Sequence, residues 1–282
     1  MQRRDFIAAA AALCGMPAQV VQASRLTERK LDRIGIQLYS VRDAAQKDFE
    51  GTLAGLASYG YRTIELLDSV GNFGKSAAQI RPMLDRHGLR APSTHAASKF
   101  ITTDFEANLD RAKTIGHEYV IIAGFSGEES KTLDDYRAWA DRFNRAGEIA
   151  RKTGVWIGFH NHAGDFALKD GQVPYDVLMD RVDPAIVRMQ LDVGNLASHG
   201  ADPLEYLRRY GNRYWSFHIK DIAKPPAKGF AELGQGALDF KRILASIERI
   251  EQKHIFVEQE NYELSSMEHA RRNFDYLSKL DF

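Results

Sequence analysis

From Ile34 to the C-terminus the chain repeats one pattern eight times: a short apolar, β-branched run, then a longer stretch with helical periodicity. The runs fall at 34–39, 63–67, 91–95, 119–123, 155–160, 187–192, 214–219 and 254–258. The helical stretches fall at 49–59, 77–87, 105–115, 133–152, 175–181, 203–209, 240–250 and 267–280. Gly60, Gly88, Gly116 and Gly154 each separate a helical stretch from the next run, where a left-handed cap residue is wanted. Eight such units without a dividing linker specify a (β/α)8 barrel, an α/β fold whose parallel strands close on themselves. An open doubly wound sheet fits less well, because it normally uses fewer strands and no Gly-x-Gly-x-x-Gly turn follows the first run. Residues 224–239, with Pro225-Pro226 and three glycines, form the longest irregular segment. That segment is expected to be a strand-to-helix loop over the top of the barrel, a candidate lid.

Residues 1–23 stand outside the repeat. Arg3-Arg4 followed by Phe6-Ile7, an apolar stretch over 8–13 and the small-residue pattern Val21-Gln22-Ala23 compose a twin-arginine export signal, too short to span a bilayer. Cleavage after Ala23 would leave a single barrel domain over 24–282, exported to the periplasm. Cys14 is the one cysteine among 282 residues, and it would leave with the signal. Leu13 precedes it where lipidation needs a small residue. Disulfides and multi-cysteine metal sites are thereby excluded, so any metal is held by nitrogen and oxygen. Lys and Arg number 38 against 38 Asp and Glu, and loss of Arg3, Arg4 and Asp5 leaves one acid in excess. Such a balance lacks the basic groove that nucleic acid requires, and nothing holds the remainder to a membrane once the signal is gone. A homo-oligomer stays open.

In a barrel of this kind, chemistry lies at the C-terminal ends of the strands. Runs five to eight end in His160, Asp192, His218 and Glu258, each after a largely apolar stretch. Four neighbouring strands would bring two imidazoles and two carboxylates to one side of the mouth. That donor set suits Mn²⁺, Zn²⁺, Fe²⁺ or Co²⁺, while the imidazoles argue against Ca²⁺ and Mg²⁺. Period-two alternation then places His162, Lys220 and Glu260 on the same faces. Lys220 beside a metal is open to a lowered pKa, or to a structural salt bridge with Asp221 or another acid. Gln37, Tyr39, Glu65 and His95 point at the mouth from the first three strands. Glu65, inside Thr-Ile-Glu-Leu-Leu, is costly to bury unless it is paired or used, and Arg42 or Lys220 are its candidate structural partners.

At these residues the sequence resembles the xylose-isomerase-like barrel superfamily of sugar isomerases and epimerases, which also holds keto-inositol dehydratases and type-2 apurinic endonucleases. The matching segments are Gly35-Ile-Gln-Leu-Tyr-Ser-Val-Arg42, Gly60-Tyr-Arg-Thr-Ile-Glu65, His160-Asn-His162 with Asp165-Phe166, Leu191-Asp-Val-Gly-Asn195, Phe217-His-Ile-Lys-Asp221, Gly234-Gln-Gly236 and Val257-Glu-Gln-Glu260. The resemblance implies a metal set of Glu, Asp, His and Glu on strands five to eight. Asp192, His218 and Glu258 match it, and His160 stands where the epimerases carry a glutamate. A metal-bound imidazole does not readily replace that glutamate as the second of two opposed bases.

The leading expectation is a metal-dependent isomerase or epimerase of a small sugar or keto-sugar, acting through an enediolate stabilised by the metal. Its metal ligands are His160, Asp192, His218 and Glu258; its catalytic groups are Glu65, His162, Lys220 and Glu258; its substrate-binding groups are Gln37, Tyr39, His95 and Glu260. The rivals are a 3-keto-glycoside lyase or hydrolase on the same barrel and a non-catalytic sugar-binding barrel. Export and the lack of a phosphate-cradling glycine loop argue against a phosphorylated substrate.

Overall fold

A computed structural model describes residues 29–125, 127–263 and 265–282; the expected export signal and Cys14 lie outside the described residues. Eight parallel strands close into a barrel in which each pairs with its sequence neighbours and the first pairs with the last. They are Gly35–Gln37, Thr63–Leu67, Arg90–Ala96, Tyr119–Ala123, Trp156–His160, Val187–Asp192, Tyr214–Ile219 and His254–Val257, numbered one to eight below. Closure is set by Gly35 opposite Phe256 and Ile36 opposite Val257.

Alternation along each strand divides the side chains. Ile64 and Leu66, Val120 and Ile122, Ile157 and Phe159, Phe217 and Ile219 are buried in the main apolar cluster together with the surrounding helices. The helix Leu133–Lys152 shows how: Thr132 and Asp135 form a reciprocal capping box at its start, and Tyr136, Trp139, Ala140, Phe143, Ala146 and Ala150 make its buried stripe. Where the strands begin, the Arg188 guanidinium lies 3.4 Å from the Trp156 ring centre and 3.1 Å from that of Trp215, closing the base of the barrel. The polar interior residues sit at the other end. The four expected cap glycines have φ of 113°, 62°, 95° and 84°.

Several elements differ from the pattern read in the sequence, and the helix expected over 240–250 already ends at Ala245. Strand one stops at Gln37 because its side chain accepts the Tyr39 backbone N–H and turns the chain into a 3-10 helix, Leu38–Val41. Short helices Arg42–Lys47 and Val193–Ser198 follow strands one and six. The irregular segment after strand seven holds a small hairpin, Asp221–Ile222 against Phe230–Ala231. Among the described residues no helix is long and apolar enough to cross a membrane.

Candidate metal centre

Strands five to seven carry His160, Asp192 and His218, and Glu258, the residue just past the end of strand eight, meets them at one point. One donor atom from each lies within 4.8 Å of the others, and all four residues are buried. His218 Nδ1 is 2.9 Å from Glu258 Oε2 and 4.0 Å from Asp192 Oδ2, and His160 Nε2 is 3.9 Å from Asp192 Oδ2. Donors bound at about 2.1 Å around one ion stand roughly 3–4 Å apart, so these separations fit a metal.

Local structure prepares each ligand. Asp192 caps the helix that follows it, its Oδ1 accepting the Asn195 N–H at 2.7 Å. Its Oδ2 is buried and accepts no hydrogen bond, with Lys220 Nζ 3.0 Å away as an ion pair only. Asn161 stitches strand five to strand six, accepting the Asp192 N–H at 2.9 Å and donating to the Asp192 carbonyl at 3.1 Å. Burial, reinforced by the charges of His95 and His218, pushes the His160 pKa well down, leaving the neutral imidazole that a metal requires. Gln190 Oε1 lies 2.9 Å from His160 Nδ1 and 2.8 Å from His95 Nε2, while its amide nitrogen donates to Glu65 at 2.8 Å and to Ser216 at 3.0 Å. With its N–H groups committed, Gln190 accepts from both imidazoles, and the Nε2 lone pair of His160 is turned toward Asp192.

Glu65 sits beneath this ring. Ser93, Gln190, Gln37 at 3.1 Å and His218 Nε2 at 2.5 Å all hydrogen-bond to its carboxylate, and His95 Nε2 lies 3.1 Å away. Burial alone would raise its pKa, but the charges of His95 and His218 and these hydrogen bonds hold it down, at about 2. For His218 burial works downward and is outweighed by Glu65 and Glu258, which lift it to about 10. A ligand imidazole whose other nitrogen donates to a carboxylate is the usual support for a metal site. Four carboxylates, Glu65, Asp192, Glu258 and Glu260, face one ammonium and one imidazolium, an excess of negative charge that a divalent cation would neutralise.

Several expectations change here. The partner of Glu65 is His218, with His95, rather than Arg42 or Lys220; Arg42 instead donates to the carbonyls of Tyr39 and Glu260. With Asp192 and Glu258 not engaged by a metal, Lys220 is raised rather than lowered: burial opposes its charge, but Asp192, Glu258 and Glu260, at 3.0, 2.8 and 2.5 Å, outweigh it. Its partners are those three acids and not Asp221. Gln37 is buried with its amide divided between Glu65 and the Tyr39 N–H, beneath the mouth rather than in it. Tyr39, 39% exposed, lies past the end of strand one, under the Arg42 guanidinium at 4.1 Å. His95 joins the ring, stacked on His218 with centroids 4.9 Å apart. His162 is exposed at the mouth, its ring edge-on to His160 at 4.9 Å. Gln190, Ser93, Ser216, Asn161 and Asn195 were not singled out in the sequence. The first three lie two residues before Asp192, His95 and His218, so alternation followed toward the barrel base, as well as outward, finds them.

The chain is similar to two proteins named inosose dehydratase. That of Clostridium beijerinckii is 26% identical over 199 residues, 63% of this chain and 64% of that protein's length. That of Lacticaseibacillus casei is 26% identical over 238 residues, 71% of this chain and 78% of that protein. Among solved structures, a sugar phosphate isomerase/epimerase from Parabacteroides distasonis superposes with a TM-score of 0.75 at 23% identity, covering 88% of this chain and 98% of that one. The IolI protein with a bound zinc atom superposes with a TM-score of 0.66 at 18% identity, covering 87% and 96%. At these identities the structures share the fold. Residues 53–280 match the family described as xylose isomerase-like TIM barrel, and the chain belongs to that family.

Proposed function

We propose that the protein is a metal-dependent lyase acting on a keto-sugar or 3-keto-glycoside, removing the proton beside the carbonyl and expelling the substituent one carbon further on. The observation that carries this reading is the asymmetry of the mouth, where among the described residues His162 is the exposed imidazole and the Glu260 carboxylate is tied to Lys220 at 2.5 Å. His160 faces the metal ligands, Glu65 is fully hydrogen-bonded beneath them, and Lys220 is held as an ammonium, which leaves the exposed imidazole of His162. Epimerisation through two opposed bases needs a second such group. Elimination can proceed with one, and the relatives named inosose dehydratase favour it.

His160, Asp192, His218 and Glu258 would hold a divalent metal, which would supply a Lewis acid for the substrate carbonyl. The His162 imidazole accepts the α-proton, whose bonding pair becomes the new carbon–carbon double bond. The bond to the β-substituent then breaks with both electrons on its oxygen, and His162 returns the proton to that oxygen. With Asp192 and Glu258 drawn to the metal, the Lys220 ammonium would have an N–H free to give the substrate oxygen on which charge gathers.

Incubating the metal-loaded protein with a 3-keto-glycoside and with free ketoses in deuterated water tests the reading. Release of the aglycone with formation of an enone is expected, and His162→Ala should slow it about 100-fold with metal content unchanged. Deuterium entering a single sugar carbon without bond cleavage would overturn elimination in favour of isomerase or epimerase chemistry. Residues 1–23 are proposed to export the protein; an uncleaved chain confined to the cytoplasm of its native host would refute that.

A further inference from the structure

His162 belongs to two places at once. One side of its ring meets the metal centre through His160, and the other forms a wall of a separate cavity of about 570 Å³. Gly124, Phe125, Lys131, Tyr136, Asp165 and Lys169 are among its other lining residues. Gly124 allows the ring its seat: its φ is +83°, and a Cβ there would lie 2.8 Å from His162 Nδ1. The His162 backbone is anchored as well, its N–H donating to Asp165 Oδ2 at 2.7 Å while Tyr136 donates to Asp165 Oδ1 at 2.6 Å. The carboxylate in this wall is therefore buried and committed to its own wall.

The charges that remain are positive. Lys131 pairs with Glu128 at 2.5 Å, but both side chains are well exposed, so a ligand can exchange for that partner at little cost. The Lys169 charge acts on the buried Asp165 carboxyl, whose oxygens are already taken by Tyr136 and the His162 N–H, and among the described residues no salt bridge within 4.0 Å holds its ammonium. Phe125, half-buried and stacked on Trp139 and Phe159 at 4.7 and 4.9 Å, adds an aromatic wall. The cavity of about 870 Å³ around Phe230 differs in charge, because its Glu232 faces His269 at 2.7 Å and Arg272 at 3.8 Å.

We propose that the cavity beside His162 receives the departing substituent, and that it selects an anionic, carboxylate-bearing one. The inference rests on the elimination reading, since it places the leaving oxygen within reach of His162 and the rest of the substituent between Lys131 and Lys169. Recognition is by two partly exposed cations, so it weakens with ionic strength.

The test compares 4-hydroxybenzoate with methyl 4-hydroxybenzoate, first as free compounds binding the metal-loaded protein in a calorimeter, then as the aglycones of two 3-keto-glucosides. The carboxylate compound should bind about tenfold more tightly, and its glycoside should show a similar advantage in kcat/KM. Lys131→Gln with Lys169→Gln should bring both ratios close to one, and Lys131→Arg with Lys169→Arg should restore them, each protein checked for full metal content. Equal binding of the two compounds by the unmodified protein overturns the proposal. So does a preference that survives the double glutamine variant, because the carboxylate would then be held by the metal. If neither aglycone is released while the binding preference appears and is lost as described, elimination fails and the anion-selective cavity stands.

Discussion

A carboxylate buried beneath the candidate ligands orients this centre at the scale of single residues. Glu65 takes the Nε2–H of His218 and so leaves Nδ1 to face Asp192 and Glu258. Gln190 does the same for His160 from the other nitrogen. Replacing Glu65 by Gln keeps the shape but removes the charge opposite His218. Metal affinity should fall about 10- to 100-fold, read by calorimetric zinc titration, as for other supports of ligand histidines; an unchanged affinity would refute this role. The cost of burying Glu65 was legible in the sequence and its partner was not. His218 lies 153 positions away and meets Glu65 across the barrel interior, a distance that no local spacing encodes.

At the scale of elements, the loop after strand seven is governed by Asp221. Its carboxylate accepts the backbone N–H groups of Ile222 and Leu238 on one oxygen and of Gly234 and Gly236 on the other, at 2.9 to 3.1 Å. The expected lid over 224–239 is thus pinned at both ends, and the hairpin between them sets Phe230 4.7 Å from Lys220 Nζ. Asp221→Ala strands four donors and should cost about 3 kcal/mol, less than four independent charged hydrogen bonds because the freed loop rehydrates. Urea unfolding measures the loss, and limited proteolysis should cut first within 223–237; an unchanged midpoint would refute the clamp. Long helices and apolar strands were readable because periodicity needs several turns or alternations to show. The helices Arg42–Lys47 and Val193–Ser198 are too short to display it, and the second begins only because Asp192 caps it.

For the whole molecule, acid stability follows from imidazoles sealed inside the folded barrel. His117, buried with Nδ1 2.7 Å from the Ala91 carbonyl, is pushed down to about 4 by that burial. Between the ordinary histidine value near 6.5 and about 4, the unfolded chain takes up a proton that the folded chain refuses. Stability is therefore undiminished above that range and falls as the pH drops through it, by about 3 kcal/mol for this one residue. His117→Gln should shrink the difference in unfolding free energy between pH 7 and pH 4.5 by that order, measured by urea titration at both values. An identical pH dependence in both proteins would exclude His117 as the source.

Amino-acid order alone specifies the eight strand–helix units, and with them the barrel and the strand ends that carry His160, Asp192, His218 and Glu258. Hydrophobic alternation is a local signal, and a closed parallel barrel is the arrangement that buries every one of those runs on both sides. The roles of the polar residues came only with closure. Glu65 as a support rather than a free acid, Lys220 as a fixed cation, Gln190 as the arbiter of two imidazoles and His162 as a wall between the metal centre and a cavity all depend on contacts between elements apart in sequence. Burial turns each of those contacts into a choice of protonation state, because a charge withdrawn from water is held only where a partner from another strand meets it.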